Sequence, residues 1–286
     1  MTLETIAPLL KCTKCGSRGL AIELAGLSCA ACGHSQARAG NNILYDGQAT
    51  LSPEWQEMQA GSVSRYQAPA YEEDQRVAQL FGGFIAAGLP QDAVVIDIGC
   101  GPFGHLPPYI KDLGLSRYVG MEPLTVAVDR DYPCLVGAVA EITPMADASV
   151  DAAVFATSLD HIEEVDVAMA DIRRVLKPGG RVLVWNGLYE PEALAFGKTF
   201  ETIFLTGSPL KRAARILAGP LEYAHLGYRM WKRRRMIARG QRLDDAHCRY
   251  YTRESSVADL VRWGFTVTRS IVVPGSPSMF LEGRLT

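Results

Sequence analysis

Residues 93–106 read Ala93-Val94-Val95-Ile96-Asp97-Ile98-Gly99-Cys100-Gly101-Pro102-Phe103-Gly104-His105-Leu106. A β-branched apolar run bounded by a turn suits a strand buried on both faces of a parallel sheet. Glycines at the C-terminal end of such a strand let a ligand approach the backbone closely. A helix is expected next, and its first N–H groups lack intrahelical partners. In open α/β sheets this is the crevice where ligands bind. Gly99-x-Gly101-x-x-Gly104 alone also fits a dinucleotide fingerprint, so the acid at the strand end, Asp97, carries weight in the reading.

Outward from that stretch, Asp97-Ile98-Gly99-Cys100-Gly101 resembles the first motif of class I S-adenosylmethionine-dependent methyltransferases. The resemblance implies a Rossmann-like α/β fold with a mostly parallel seven-stranded sheet. It places Gly99, Cys100 and Gly101 against the methionine and ribose portions of the cofactor and Asp97 beside its amino-acid part. Cys100 reads as a small packing residue of the turn rather than a nucleophile. The chain departs from the family at Phe103, where a glycine is common, so a reshaped loop with Phe103 near the pocket is expected.

Tyr118-Val119-Gly120-Met121-Glu122-Pro123 reads as a second strand ending in an acid. A carboxylate there can accept two hydrogen bonds from a ribose diol; the bland alternative is a solvated strand-end glutamate. Val139 to Met145 and Ser149 to Ala156 resemble the third- and fourth-strand region of the family. The family often has an Asp at the place of Val139, so backbone groups near Ala140 and Glu141 are expected to read the adenine, with Ala156 bordering the site. Asp171 to Trp185 reads as helix, Pro178-Gly179-Gly180 turn and strand, since Gly supplies positive φ and Pro blocks continuation. Thr252 is expected to cap a helix ending at Gly264, followed by antiparallel strands over 265–273 and 279–284. The resemblance covers residues 90–187 closely and 247–286 loosely.

Four of the seven cysteines form Cys12-x2-Cys15 and Cys29-x2-Cys32, thirteen residues apart, each pair followed by Gly. Two such turns facing each other supply four sulfurs at tetrahedral Zn²⁺ geometry. With all four positions filled by Cys, a structural zinc is expected rather than a catalytic one. Residues 1–45 are too few to bury a sufficient core of their own, and metal supplies the missing stability. The segment resembles zinc ribbons that precede methyltransferase domains, including some acting on ribosomal RNA guanine, and also ribbons of unrelated proteins. The expected organisation is a zinc ribbon over 1–45, linker and helices over the cofactor site at 46–90, and a methyltransferase domain over 91–286. Within 46–90, Ser52-Pro53 reads as a helix start, and Val77, Leu80, Phe81, Phe84 and Ile85 recur at helical spacing, with Gly82-Gly83 weakening that helix.

Methyl transfer from a sulfonium is an in-line displacement, so the protein's main task is to align donor and nucleophile and exclude water. A general base is needed only when the nucleophile holds its proton, as a hydroxyl does. Thr157-Ser158-Leu159-Asp160-His161 follows the fourth strand, and His161 with Asp160 is the candidate catalytic pair. The competing reading is packing or capping, since the resemblance gives a His there whatever the substrate. His105 beside the glycine loop has a similar claim, and His247 at the pocket mouth has no motif behind it.

Residues 188–251 form an insertion larger than a bare fold of this class needs. Its window 211–242 holds ten Lys or Arg against Glu222 alone, within a chain whose formal charge is −2. Tyr223, Tyr228 and Trp231 interleave with the cations, and the pattern reads as a helical, basic lid over the crevice. Such a face suits RNA phosphates, anionic lipid or an anionic small substrate, or is merely solvated. The favoured acceptor is a small or saccharide-type molecule, because the Asn-Pro-Pro-aromatic type of motif is absent after the fourth strand. The alternatives are an RNA base methyltransferase and a cofactor-binding interaction module without turnover. With 48% apolar and 21% charged residues, an ordinary globular chain is expected. No run reaches the length of a membrane span and the first residues lack a secretory pattern, so a cytoplasmic location is expected; the oligomeric state stays open.

Overall fold

The computed structural model describes residues 2–66, 75–126, 128–189, 247–274 and 276–286, together with 208–210, 213, 224, 227–228, 231–239 and 241–244. A short helix α1 (Leu3–Ile6) precedes strands β1 (Leu20–Glu23), β2 (Gly26–Cys29), β3 (Ser35–Ala39) and β4 (Asn42–Leu44). Helices α2 (Pro53–Tyr66) and α3 (Gln75–Ala86) lead to β5 (Val94–Ile98), β6 (Arg117–Glu122), β7 (Cys134–Val136) and β8 (Val150–Ala156). Helix α4 (Val165–Val175) and β9 (Leu176–Gly187) follow, and α5 (Arg253–Arg262), β10 (Phe265–Val272) and β11 (Ser278–Leu285) close the chain.

Among the described residues the strands form one sheet in the order β1-β2-β3-β4-β7-β6-β5-β8-β9-β11-β10. From β7 to β10 it is the expected seven-stranded arrangement, parallel except at β11. All five residues of β5 are buried, which explains its unbroken apolar run around Asp97. Apolar side chains cover both faces. One cluster holds Ile96, Val119, Phe155 and Ile172; the other holds Phe81, Val95, Tyr118 and Phe280.

The cysteine-bearing segment does not stand apart from this sheet. β4 pairs in parallel with β7, in register Asn42 with Cys134, Ile43 with Leu135 and Leu44 with Val136. Leu3, Ile6, Leu10, Leu27 and Ile43 belong to the same buried cluster as Ile96 and Phe155. The Lys11 amide donates to the Pro144 carbonyl at 2.8 Å and the Ala146 amide to that of Leu9 at 2.7 Å. Residues 2–45 thus draw most of their core from the larger sheet, where the sequence suggested a unit dependent on metal alone.

Three local expectations take a different form. No α-helix follows the glycine turn among the described residues 99–116; the chain runs through turns instead. Pro102, Pro107 and Pro108 each lack an amide donor and, with Gly101 and Gly104, interrupt helical propagation. The Pro178-Gly179-Gly180 turn is a bulge inside β9, since Leu176 pairs with Val150 and Arg181 already with Ala152. Gly82 does not break α3: a Cβ there would meet the Tyr109 carbonyl oxygen at 3.0 Å, so glycine allows the helix close to the 107–112 turn.

The Ser52 hydroxyl accepts from the Trp55 amide at 3.1 Å and starts α2. Thr252 and Ser255 form a reciprocal capping box on α5. Most of the basic insertion, including Lys211, Arg212, Arg215, Glu222, Tyr223 and Arg229, lies outside the described residues. Residues 231–238 are helical, with Trp231 and Lys232 through Arg235 exposed. Arg235 lies over the Trp231 ring at 5.3 Å, and Trp231 stacks on Tyr228. No helix among the described residues is long and apolar enough to cross a membrane.

Candidate active site

At the C-terminal ends of β5, β6 and β8 the chain turns away from the sheet and leaves a cavity of about 720 Å³. That volume lies within the range of roughly 300–1,000 Å³ usual for small-ligand pockets. Gly99, Cys100, Gly101 and Glu122 line one part of it, and Ala140, Glu141, Ala156 and His161 another. Asp97 and Asp160 lie just outside the lining.

Gly99 and Gly101 adopt φ values of +73° and +86°, in the left-handed region. A Cβ on Gly99 would meet Ser158 Cβ at 2.7 Å, and one on Gly101 would meet the Phe103 ring at 2.6 Å. The expectation that Phe103 sits near the pocket holds: it lines the cavity, folded over the glycine turn. Cys100 is buried, with its sulfur 3.8 Å from that of Cys134, in keeping with a packing residue.

Glu122 is not solvated. Its Oε2 accepts from the Gly101 amide at 2.8 Å and its Oε1 from the Leu124 amide at 2.9 Å. The carboxylate therefore fixes the glycine turn to the end of β6 while facing the cavity. Burial pushes its pKa up to about 7, against the lowering effects of the Leu124 and Gly101 amides and of Arg130.

Asp97 is fully buried behind the turn. Its Oδ2 accepts from the hydroxyls of Tyr118 at 2.7 Å and Tyr109 at 2.9 Å, while Oδ1 has no hydrogen-bond partner among the described residues. Burial pushes this carboxyl up to about 7 although both tyrosines lower it. An unpaired carboxylate oxygen behind a glycine cradle fits the ammonium of an amino-acid ligand, which supplies the missing donors. Tyr109, which lines the cavity, was not legible as a site residue.

The opposite wall comes from α2 and α3 through Trp55, Gln59, Gln75 and Ala78. The Trp55 indole donates to the His161 carbonyl at 2.8 Å, and Ser52 binds the Glu163 carboxylate, so α2 is pinned to the segment after β8. Thr157, between β8 and that segment, holds φ +55° although it is β-branched, a backbone strain common at functional positions. Trp185 closes the floor. Among the described residues no Lys or Arg lines the cavity.

His161 and Asp160 are close but not hydrogen-bonded: His161 Nε2 is 3.8 Å from Asp160 Oδ1. The structure adds His247, whose ring stacks on that of His161 at 4.8 Å. Nothing in the sequence pattern pairs these histidines, which lie far apart in the chain. His105 also lines the cavity; it is exposed, with its Nδ1 3.0 Å from Asp131.

The four cysteines Cys12, Cys15, Cys29 and Cys32 gather at one end of the sheet, all sulfurs within 4.8 Å of one another. The Cys12–Cys32 and Cys15–Cys29 sulfur separations are 3.7 and 3.6 Å. A tetrahedral Zn²⁺ with bonds of about 2.3 Å needs sulfurs roughly 3.8 Å apart, so this cluster fits that ion.

Residues 96–184 match the family model described as a methyltransferase domain. This part of the chain is similar to a methyltransferase domain. A sterol 4-C-methyltransferase of Caenorhabditis elegans is 31% identical over 108 residues, which are 34% of this chain and 32% of that protein. The chain thus aligns with about a third of the curated relatives it matches. The 1,6-didemethyltoxoflavin-N1-methyltransferase of Burkholderia thailandensis, solved with its substrate and S-adenosylhomocysteine, has the same fold at a TM-score of 0.51. It is 14% identical, covering 88% of this chain and 94% of that one. The [4+2]-cyclase SpnF matches at a TM-score of 0.50 and 16% identity, covering 77% of this chain and 84% of that one. A methyltransferase and a cyclase on one fold show that the methyltransferase domain gives the architecture, while the reaction must be argued from the site.

Proposed function

We propose that the protein is an S-adenosylmethionine-dependent methyltransferase acting on a small, uncharged or weakly charged acceptor. The observation that carries this reading is the single cavity joining the glycine turn to His161. One end offers the cradle of Gly99 and Gly101, the carboxylate of Glu122 for a ribose diol, and the free Asp97 Oδ1 for an ammonium. Ala140, Glu141 and Ala156 border the place of the adenine. The other end is walled by Trp55, Trp185 and Ile162, with the Gln59 and Gln75 amides as its polar groups.

The cofactor supplies a methyl group activated on a sulfonium, and transfer to the acceptor leaves a neutral thioether. The chain's own part is to hold the acceptor between the tryptophans and keep water out. Where the acceptor is a hydroxyl, its proton leaves at the end of the cavity bordered by His161 and Asp160. Among the described residues the walls are aromatic and amide, which suits a neutral aromatic or saccharide-like acceptor. We assign Zn²⁺ to the four cysteines as a structural ion.

The test uses S-adenosylmethionine labelled on its methyl group, incubated with the protein and with extract of its source cells. Label in small-molecule material, absent with a Gly101→Ala control, is the expected result. Label in RNA would overturn the acceptor class. No label in any fraction, with S-adenosylhomocysteine still bound, would favour a binding module without turnover.

A further inference from the structure

Beside the cavity, Asp160 meets two imidazoles from distant parts of the chain. The amides of Cys248 and Arg249 donate to the Asp160 carbonyl at 2.8 and 3.2 Å, which seats the 247–249 segment on the turn after β8. His161 Nε2 then lies 3.8 Å from Asp160 Oδ1, and His247 Nε2 lies 3.7 Å from Asp160 Oδ2. Both separations exceed a hydrogen bond. Asp160 is only 5% exposed, and its Oδ1 has no hydrogen-bond partner among the described residues. A buried carboxylate left in this state is costly unless a cation completes it.

The three ligand atoms lie within 4.8 Å of one another. A transition ion bound at about 2.0–2.2 Å to each holds its donors roughly 2.9–3.6 Å apart, so small side-chain rotations close this group around one. A second carboxylate orients the arrangement. Asp244 Oδ1 is 2.8 Å from His247 Nδ1, which sets the proton on that nitrogen and leaves Nε2 as a lone pair facing Asp160. The Tyr189 hydroxyl also rests against the His247 ring, at 3.2 Å from Nδ1.

We propose that Asp160, His161 and His247 bind a divalent first-row transition ion, with Asp244 as the outer carboxylate that orients His247. Two imidazoles and one carboxylate leave coordination positions open. His161 lines the cavity, so those positions border the space assigned above to the acceptor, where the ion polarises an acceptor oxygen. The binding site itself stands on this geometry whether or not the protein transfers a methyl group. Its nitrogen and oxygen ligands separate it from the four-sulfur cluster.

The test equilibrates the full-length protein with Zn²⁺, removes loosely bound metal and counts zinc per chain; a parallel sample takes Co²⁺ and is read by absorption. Two ions per chain are expected in the wild type, and the Co²⁺ spectrum should show a second component without thiolate charge transfer. His247→Gln, at a partly exposed side chain, should remove that component and one ion while keeping the thiolate bands, which report a folded ribbon. Asp244→Asn should weaken the second ion about tenfold to a hundredfold, the usual effect of losing an orienting carboxylate. A wild type with no ion beyond those seen through thiolate bands would overturn the proposal. So would a His247→Gln protein that keeps the thiolate-free component.

Discussion

Asp97→Asn should make the protein more stable at pH 8 than at pH 5, relative to wild type. The Asp97 carboxyl is fully buried and is pushed from its ordinary 3.8 up to about 7. A raised carboxyl favours the protonated folded state. Its contribution is fully present below about pH 4, is lost as pH rises, and is gone above about pH 7. The whole displacement corresponds to roughly 4 kcal/mol, of which more than half is lost between pH 5 and pH 8. Asparagine keeps an oxygen for the hydroxyls of Tyr109 and Tyr118 and carries no charge to desolvate. Its amide also replaces an oxygen that already lacks a partner, so the added cost of the new N–H group is present at both pH values. Urea unfolding of both proteins at pH 5 and pH 8 gives the difference of differences directly. A stability difference that is the same at the two pH values would refute the account of Asp97 as a carboxyl strained by burial. The same substitution should weaken S-adenosylhomocysteine, because it removes the charge offered to the ligand's ammonium.

Gly101→Ala forces a Cβ against Phe103 at a φ of +86°, and a strain of about 1–3 kcal/mol at the cradle should lower S-adenosylhomocysteine affinity roughly fivefold to 150-fold by calorimetry. Cys29→Ser, or a strong chelator, should lower the Tm of the whole chain by at least about 3 °C, the shift that roughly 2 kcal/mol gives a chain of this size. Scanning calorimetry should show that loss in a single transition, since β4 belongs to the main sheet; a separate early transition with the main one unmoved would contradict it. Thr252→Ala removes the cap that accepts from Ser255 and should cost about 1 kcal/mol in denaturant unfolding, with Thr252→Ser nearly neutral.

The central fold was legible because its signals are local. Val94 to Ile98 announces a buried strand, Gly99 and Gly101 need their left-handed φ values, and Thr252 with Ser255 caps a helix within one turn. The helix expected after the glycine turn is replaced by turns, because Pro102, Pro107 and Pro108 interrupt it. What the sequence could not disclose was pairing over distance. Parallel β4–β7 pairing joins Ile43 to Leu135 through backbone bonds that leave no mark on either segment. The same holds for the site. Glu122 was recognisable as a strand-end acid, but not its two amide donors. His161 was recognisable after β8, but His247 becomes its neighbour only because the Cys248 and Arg249 amides find the Asp160 carbonyl. Trp55 reads from sequence as an ordinary helix residue; its indole bond to His161 depends on how α2 docks.

The pairing of β4 with β7 also sets an order of events at the ribosome. Asn42–Leu44 is synthesised well before its partner Cys134–Val136 exists. At about 5–20 residues per second, roughly 5–18 s pass in between. Throughout that interval β4 presents an unpaired edge, the kind of edge that recruits strands from other chains. The cysteine hairpin next to it is complete from the start of the wait. On the zinc assignment proposed above, metal captured early would rigidify the hairpin before the sheet arrives, and zinc supply during translation would then bear on how much of the nascent chain reaches the native sheet instead of aggregating.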